Sequence, residues 1–199
     1  MKSLTKIFAG ISTAVLLCIS GAIILTTFWF LSTQNNLMSL KEDVEMQKSQ
    51  IETTLQRRSD LIPNLVATVK DYAAHEEKIY SEISDARSKL ARSIETGDIE
   101  SMIESNDTLN SSISRLLAIS ENYPKLQSSE QFIALQDELA GTENRIAVAR
   151  QYYNEKVKTY NTAVQRFPSS IVAKAKGFSP IQYFEADENS KTVPVVNFH

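Results

Sequence analysis

Three short groups of residues carry side chains that could do chemistry. The first is His75-Glu76-Glu77, which could form part of a metal-dependent hydrolytic site. A zinc-protease helix places a second histidine four residues after the first so that both imidazoles face the metal, and position 79 is Ile79. The other histidine is His199, so we favour a surface or interhelical polar cluster over a metal site.

The second group is Arg57, Arg58 and Asp60, which precede Pro63. These residues could form an ion pair that fixes a bend at the proline, or a basic face for a partner or for acidic lipids. A straight helix carries Arg57 roughly 39 Å beyond the apolar segment described below, out of easy reach of a membrane, so we favour the structural role. Asn64 is predicted to cap or bridge helices beside the proline.

The third group is a repeated pair, Tyr153-Asn154 and Tyr160-Asn161, spaced seven residues apart. Both tyrosines therefore lie on one helical stripe and both asparagines beside it. One interpretation is an interhelical polar ladder of core tyrosine hydroxyls and neighbouring amides; the other is a groove floor that holds a peptide or a partner helix. We favour the ladder, because the stripe continues through Phe167 as ordinary core.

The composition excludes several classes of function. No glycine-rich phosphate loop, Ser-His-Asp set or Cys-His pairing can be assembled from the sequence. We therefore expect that the protein is not an enzyme and that it binds no cofactor or metal. The net charge of -3 argues against a nucleic-acid partner, since phosphate binding needs clustered excess Lys and Arg. Cys18 is the only cysteine, which rules out an intramolecular disulfide. A lipid-modified cysteine is disfavoured because Leu17, just before it, is not small.

A long uncharged segment opens the chain. Its apolar part, residues 7–31, would span roughly 37 Å as a helix, enough to cross a hydrocarbon core of about 30 Å with some tilt. A cleaved signal peptide is the alternative, since Lys2 and Lys6 make a positive start. The apolar run exceeds the typical length of about 7–15 residues, so we favour an uncleaved anchor. The flanking charges place the N-terminus in the cytoplasm and the rest outside.

Downstream, apolar residues recur at three- and four-residue steps, which is typical of helices. Pro63 is predicted to interrupt or kink the chain, with Ser59 or Asp60 capping a new helix start. One apolar stripe then runs from Leu65 to Ile94.

Later boundaries carry clearer signals. Gly97 suits a left-handed cap and Asp98 an N-cap, which predicts a stop and a restart. Ser128 and Gln131 have capping-box spacing and would open a fourth helix, which Pro168 would end.

Four helices that each carry one apolar stripe can bury those stripes only against one another. The fold predicted is therefore all-α, with a single N-terminal transmembrane helix followed by an elongated antiparallel bundle of about four long helices. The aromatic residues after Gly177 are expected to pack on one end of the bundle. The predicted organisation is a short cytoplasmic N-terminus (1–6), a transmembrane helix (7–31), an extracytoplasmic bundle (32–185) and a flexible C-terminal tail (186–199).

Over residues 35–185, approximately, the chain resembles the LemA family of bacterial membrane-anchored proteins. The resemblance rests on these pieces: Gln50-Ile51, Gln56-Arg57-Arg58, Asp60-Leu61-Ile62-Pro63-Asn64-Leu65-Val66, Val69-Lys70, Tyr72-Ala73, His75-Glu76, Glu121-Asn122-Tyr123-Pro124, Thr142-Glu143, Arg150, Tyr153-Asn154, Tyr160-Asn161, Phe167-Pro168, Gly177-Phe178 and Phe184-Glu185. The structural or interaction candidates among them are Arg57, Arg58, Asp60, Pro63, Asn64, Tyr72, His75, Glu76, Tyr153, Asn154, Tyr160 and Asn161.

This resemblance implies a single span in the bacterial cytoplasmic membrane, a long-helix bundle and no established enzymatic activity. Family members often look like parts of envelope maintenance or stress systems, sometimes encoded near membrane zinc proteases. We therefore expect a non-enzymatic adaptor or scaffold. Its expected partners are the lipid bilayer, through residues 7–31, and an envelope or membrane protein such as a membrane protease. The alternatives are a sensor that binds a peptide or small ligand between helices and hinges at Pro63, and a metal-dependent hydrolase that uses His75 and Glu76.

Overall fold

The computed structural model describes residues 2–184 of this 199-residue chain, with side chains from residue 16 onward. Over that range the chain forms six helices and no strand, which confirms the all-α fold. The helices are α1 Lys2–Lys70, α2 Glu77–Thr96, α3 Ile99–Ser120, α4 Pro124–Gln127, α5 Glu130–Gln165 and α6 Ser169–Lys176. The predicted tail, 186–199, lies outside the described residues.

The apolar N-terminal segment continues into the bundle as one helix. Within the described residues, α1 is the one helix that is long and apolar enough to cross a bilayer. Its most apolar stretch, counted from Leu16, has a mean hydropathy of 1.9, and none of that stretch is buried in the protein. The limits 7–31 stay a prediction.

The helix boundary predicted at Pro63 is wrong, because α1 runs through Pro63 to Lys70. A proline leaves the carbonyl four residues earlier without its usual amide donor, and here that carbonyl belongs to Ser59. Arg87 of α2 donates from Nε to the Ser59 carbonyl oxygen at 3.0 Å. The neighbouring helix thus replaces the lost hydrogen bond. Ser59 and Asp60 lie inside α1 and cap no helix.

The break falls instead at residues 71–76, between α1 and α2. The turn is fixed by Ala73, whose buried carbonyl accepts a hydrogen bond from the Tyr80 hydroxyl at 2.7 Å. The apolar stripe predicted to be continuous from Leu65 to Ile94 is therefore divided between two helices.

The turn between α2 and α3 follows the prediction. Gly97 adopts a left-handed conformation with φ of 66°, and its amide donates to carbonyls of the last turn of α2. Asp98 is the N-cap of α3, where its carboxylate accepts from the Ser101 amide at 3.2 Å. Both assignments are confirmed.

The start of α5 differs from the prediction, whereas its end agrees. Ser128 ends the short helix α4, and its hydroxyl donates to the Lys125 carbonyl at 3.1 Å, so the predicted capping box is wrong. α5 begins at Glu130 and ends at Gln165, before Pro168. The eight-residue helix α6 was not predicted.

The chain divides into two compact units. The anchor unit comprises Met1–Asp43 and Lys158–Ile181, and its buried apolar side chains are Leu37, Tyr160, Val164, Val172 and Ala173. Of the described residues, the bundle unit comprises Val44–Val157 and residues 182–184. It contains the later part of α1, the earlier part of α5, and α2, α3 and α4. The largest fully buried side chains of the bundle unit are Ile51, Leu55, Ile62, Leu65, Ile83, Leu90, Met102, Leu109, Phe132 and Tyr153.

Candidate functional site

Arg58 is buried in the bundle unit, with only 5% of its surface exposed. Its Nη1 forms an ion pair with Glu143 of α5 and donates to Oδ1 of Asn106 of α3 at 3.3 Å. One guanidinium of α1 therefore binds two other helices. We call Arg58, Asn106, Asp107, Glu143 and Arg150 the charge cluster.

Arg150 brings a second guanidinium into this cluster. Burial lowers its pKa from the ordinary arginine value, the carboxylates of Asp107 and Glu143 oppose that change, and the positive charge of Arg58 adds to it. The Arg150 guanidinium also lies 4.5 Å from the ring centroid of Phe184, a cation–π distance. Guanidinium, carboxylate and amide groups in this arrangement hold helices in register.

Several buried polar atoms of the cluster have no hydrogen-bond partner. They are Nε of Arg58, Nδ2 of Asn106, and Nε and Nη2 of Arg150. A buried polar atom left unpaired costs about 1–3 kcal/mol, and more when the group is charged. The two carboxylates are therefore needed to offset the burial of the two arginines.

Sequence reasoning missed Asn106, Glu143 and Arg150 as site residues, although Glu143 and Arg150 lay in the matching pieces. The available signal for Asn106 was its position on an apolar stripe, four residues after Met102 and three before Leu109. A polar residue on a buried stripe needs a partner, and here the partner is Arg58.

The ion pair predicted between the arginines and Asp60 is wrong, because both arginines pair with carboxylates of α5. Arg57 is exposed, and its Nη2 lies 2.8 Å from Oε1 of Glu138. Asp60 instead accepts a hydrogen bond from Nε2 of Gln56 at 2.9 Å.

Among the clefts on the surface of the bundle unit, two bear on these residues. The first, which we call the motif cleft, has a volume of about 570 Å³ and lies between α1 and α2; its lining is Glu52, Thr53, Gln56, Arg57, Asp60, Leu61 and Ile94. The second cleft, of about 550 Å³, lies over the charge cluster between α3 and α5 and includes Leu117. The motif cleft combines half-buried Leu61 and Ile94 with exposed charges of both signs.

The Tyr-Asn pairs hold the extended segment 178–184. In the bundle unit, Asn154 donates from Nδ2 to the Phe184 carbonyl and accepts from the Phe184 amide, both at 2.8 Å. In the anchor unit, Asn161 makes the same two bonds with Ile181, also at 2.8 Å. The Tyr153 hydroxyl donates to the Gln182 carbonyl at 2.9 Å.

The favoured interhelical ladder is therefore wrong for these residues. A carboxamide carries both a donor and an acceptor, and each asparagine pairs with the backbone N–H and C=O of one residue in this non-helical segment. The groove interpretation is closer, except that the bound peptide belongs to the chain itself. Phe184 is buried against Arg150 and Asn154 of α5, whereas Tyr183 is 38% exposed. Tyr160 is buried, and burial raises the pKa of its hydroxyl.

Tyr72, His75 and Glu76 occupy the turn between α1 and α2. Tyr72 and His75 are exposed, and Glu76 is the half-buried N-cap residue of α2. Over the part of the chain that the structure describes, no group of three or more His, Cys, Asp and Glu residues is placed to hold a metal ion. Pro63 and Asn64 are exposed inside α1, so the predicted capping role of Asn64 is wrong.

Comparison with known proteins adds a family to this geometry. The sequence model of the LemA family matches residues 47–198. The chain belongs to the LemA family. Together with the candidate transmembrane helix in α1, this makes it a membrane-associated helical protein.

Three curated relatives of this LemA chain carry two kinds of name. Protein LemA of Metamycoplasma hominis is 24% identical over 161 residues, which cover 81% of this chain and 73% of that protein. Magnetosome protein MamQ of Magnetospirillum gryphiswaldense is 30% identical over 173 residues, covering 75% of this chain and 64% of the relative. Magnetosome protein MamQ 2 of Paramagnetospirillum magneticum is 28% identical over 174 residues, with 76% and 64% covered. The chain thus spans less than two thirds of the length of the magnetosome relatives.

In this LemA chain the buried Tyr153 is expected to make stability fall at high pH. Burial, with a smaller contribution from Glu45, raises the pKa of Tyr153 from 10.0 to about 12. The folded state therefore keeps the phenol proton longer than the unfolded state, so the stabilisation is complete below the unfolded pKa and is lost as pH rises through the folded pKa. As pH rises between those two pKa values, the free energy of unfolding in detergent should fall for both chains. It should fall by about 2 kcal/mol less for Tyr153→Phe than for the unmodified chain.

The matched control is Tyr152→Phe, because Tyr152 is the preceding residue and is 54% exposed. It should keep the full loss of stability at high pH. Equal losses for Tyr153→Phe and Tyr152→Phe would contradict the assignment.

Proposed function

We propose that this LemA chain is a non-catalytic adaptor, anchored in the bacterial cytoplasmic membrane by residues 7–31, that binds an envelope or membrane protein through the motif cleft. The observation that carries the proposal is the continuity of α1. One helix supplies both the candidate span and six residues of the cleft lining, at positions 52, 53, 56, 57, 60 and 61. A protein bound at the cleft would therefore be tied directly to the anchor.

The motif cleft has the composition of a protein-binding surface. Leu61 and Ile94 offer an apolar floor, and the exposed side chains of Arg57 and Asp60 offer a polar rim. Interfaces commonly combine an apolar centre with such a rim, and arginine is enriched among residues that dominate binding. We therefore propose that the partner inserts an apolar side chain between Leu61 and Ile94. A membrane protease is one partner of this kind.

The placement of the bundle outside the cytoplasm rests on charge. Lys2 and Lys6 precede the span, whereas Lys41, Glu42 and Asp43 follow it with one base and two acids. The excess of basic residues stays in the cytoplasm when a helix inserts. Relatives that are named after a cell structure, and not after a reaction, also support a non-catalytic role. The sensor alternative, in which a ligand binds between helices and Pro63 is the hinge, stays a prediction; the continuity of α1 through Pro63 favours the adaptor.

Photo-crosslinking in native membranes tests the proposal. A photoreactive amino acid at Gln56, exposed at the motif cleft, should capture one recurrent envelope or membrane protein. The matched position is Ser114, which is exposed at the second cleft and should not capture that protein. An adaptor that works through the motif cleft would be contradicted if position 56 captured nothing or only further copies of this chain. It would also be contradicted if both positions captured the same set of proteins.

A further inference from the structure

The anchor unit exposes large apolar side chains close to basic ones. Phe167 is 75% exposed and Ile171 is 55% exposed, although the sequence pattern had placed Phe167 in the core. Arg166, Lys174 and Lys176 are exposed on the same short stretch of chain. An apolar and basic pattern of this kind is typical of helices that lie on membrane surfaces.

A contact within the anchor unit places α6 beside the candidate span. Nζ of Lys176 lies 5.7 Å from the ring centroid of Phe30, the residue before the end of the predicted 7–31 segment. Trp29 and Phe30 are the aromatic residues expected at a membrane–water interface. The C-terminal end of α6 therefore lies beside the predicted interface residues, although Lys176 follows Phe30 by 146 residues in sequence.

The fold holds α6 in a fixed position. Val172 and Ala173 are buried, and Gly177 ends the helix in a left-handed conformation with φ of 75°. The Ser169 hydroxyl contacts the Ala163 and Arg166 carbonyls, at 2.6 and 2.8 Å. Because the buried side faces the protein, the opposite side, with Ile171 and Lys174 three residues apart, faces outward.

We propose that Phe167, Ile171, Lys174 and Lys176 form a second membrane-contact surface that binds anionic phospholipid headgroups beside the anchor. The apolar side chains would enter the interfacial layer, and the ammonium groups would meet lipid phosphates. The bilayer is the occupant because the surface continues directly from the span at Phe30 and is basic where the headgroups are acidic. A lysine near an anionic surface shifts local binding by about fivefold.

Depth-dependent fluorescence quenching of the full chain in lipid nanodiscs tests this surface. With Cys18 replaced by serine, a single cysteine in Ile171→Cys carries an environment-sensitive fluorophore, and the discs contain lipids with a nitroxide on the acyl chain. The matched control is Ser39→Cys, exposed on α1 and about 13 Å of helix beyond Phe30. Strong quenching at position 171 and little at 39 is expected. Equal quenching at the two positions overturns the proposal. Protection of position 171 from both lipid and aqueous quenchers also overturns it, because a bound protein would give that result.

Charge variants test the headgroup part. When the nitroxide is carried on phosphatidylglycerol, the excess of quenching at position 171 over that from nitroxide-labelled phosphatidylcholine should fall about fivefold for each of Lys174→Gln and Lys176→Gln. Lys41→Gln with Lys158→Gln, two exposed lysines of the same unit, should leave it unchanged. Recognition of anionic lipid would be overturned if quenching were the same with phosphatidylcholine as with phosphatidylglycerol, and the same in every variant as in the chain with its lysines. No partner protein enters these measurements, so their outcome is separate from that of the adaptor proposal.

Discussion

Replacing Glu143 by leucine is expected to lower the free energy of unfolding by about 3 kcal/mol, since removing one partner of a buried ion pair leaves the other charge uncompensated. Arg58 is 5% exposed, and Glu143 is its carboxylate partner. The same substitution takes a negative charge from the surroundings of Arg150, whose burial already disfavours its charged form. We place the effect at the lower end of the usual range because the Glu143 side chain is 45% exposed. Chemical unfolding of the full chain in mild detergent, followed by far-ultraviolet circular dichroism, measures it.

Two further variants separate a buried charge from loss of a surface acid. Glu104→Leu removes an exposed glutamate of α3 and should change stability by less than about 0.5 kcal/mol. Arg58→Met combined with Glu143→Leu removes both charges and should recover most of the loss, because apolar residues of similar size often replace buried ion pairs without cost. A double variant as unstable as Glu143→Leu alone would show that the charge cluster does not depend on this pair.

The second large effect is expected in the extended C-terminal segment. Asn154→Ala removes both hydrogen bonds to the backbone N–H and C=O of Phe184, and Asn161→Ala removes both to those of Ile181. Two lost hydrogen bonds correspond to about 2 kcal/mol, so amide exchange of the released residue should accelerate about thirtyfold. Hydrogen exchange with mass spectrometry of peptides that cover residues 178–184 measures the rate.

The exchange experiment has a matched control and an intermediate variant. Asn144→Ala changes an exposed asparagine of α5 and should leave the segment protected. Asn154→Asp keeps an oxygen that accepts from the Phe184 amide but loses the donor. The exchange rate of the Phe184 amide in this variant should therefore lie between the rates in the unmodified chain and in Asn154→Ala. The assignment fails if Asn154→Ala exchanges no faster than Asn144→Ala.

The features that followed from the sequence depend on neighbouring residues alone. Gly97 and Asp98 fixed the turn between α2 and α3 because a left-handed glycine and an N-cap carboxylate act within one helical turn. The candidate span was visible in the same way, as one uninterrupted apolar run.

The features that were missed depend on residues far away in the chain. Arg57 and Arg58 are adjacent and identical in type, yet the first is exposed and the second buried, and both pair with carboxylates of α5, about 80 residues away in the chain. The sequence did not show that Pro63 lies inside a helix, because the hydrogen bond that the Ser59 carbonyl lacks is supplied by Arg87 of another helix. The Tyr-Asn spacing predicted the stripe correctly but not its partner, because an asparagine side chain can pair equally well with a side chain of another helix and with the backbone of a non-helical segment.

Binding of a partner at the motif cleft is tested most directly by two leucine substitutions in native membranes. Leu61 and Leu117 are both half-buried, one in the motif cleft and one in the second cleft. Quantitative mass spectrometry of proteins that copurify with the full chain should show one membrane or envelope protein lost in Leu61→Glu and retained in Leu117→Glu. An unchanged set of copurifying proteins in Leu61→Glu, in a variant that circular dichroism shows to be folded, would contradict an adaptor that works through this cleft.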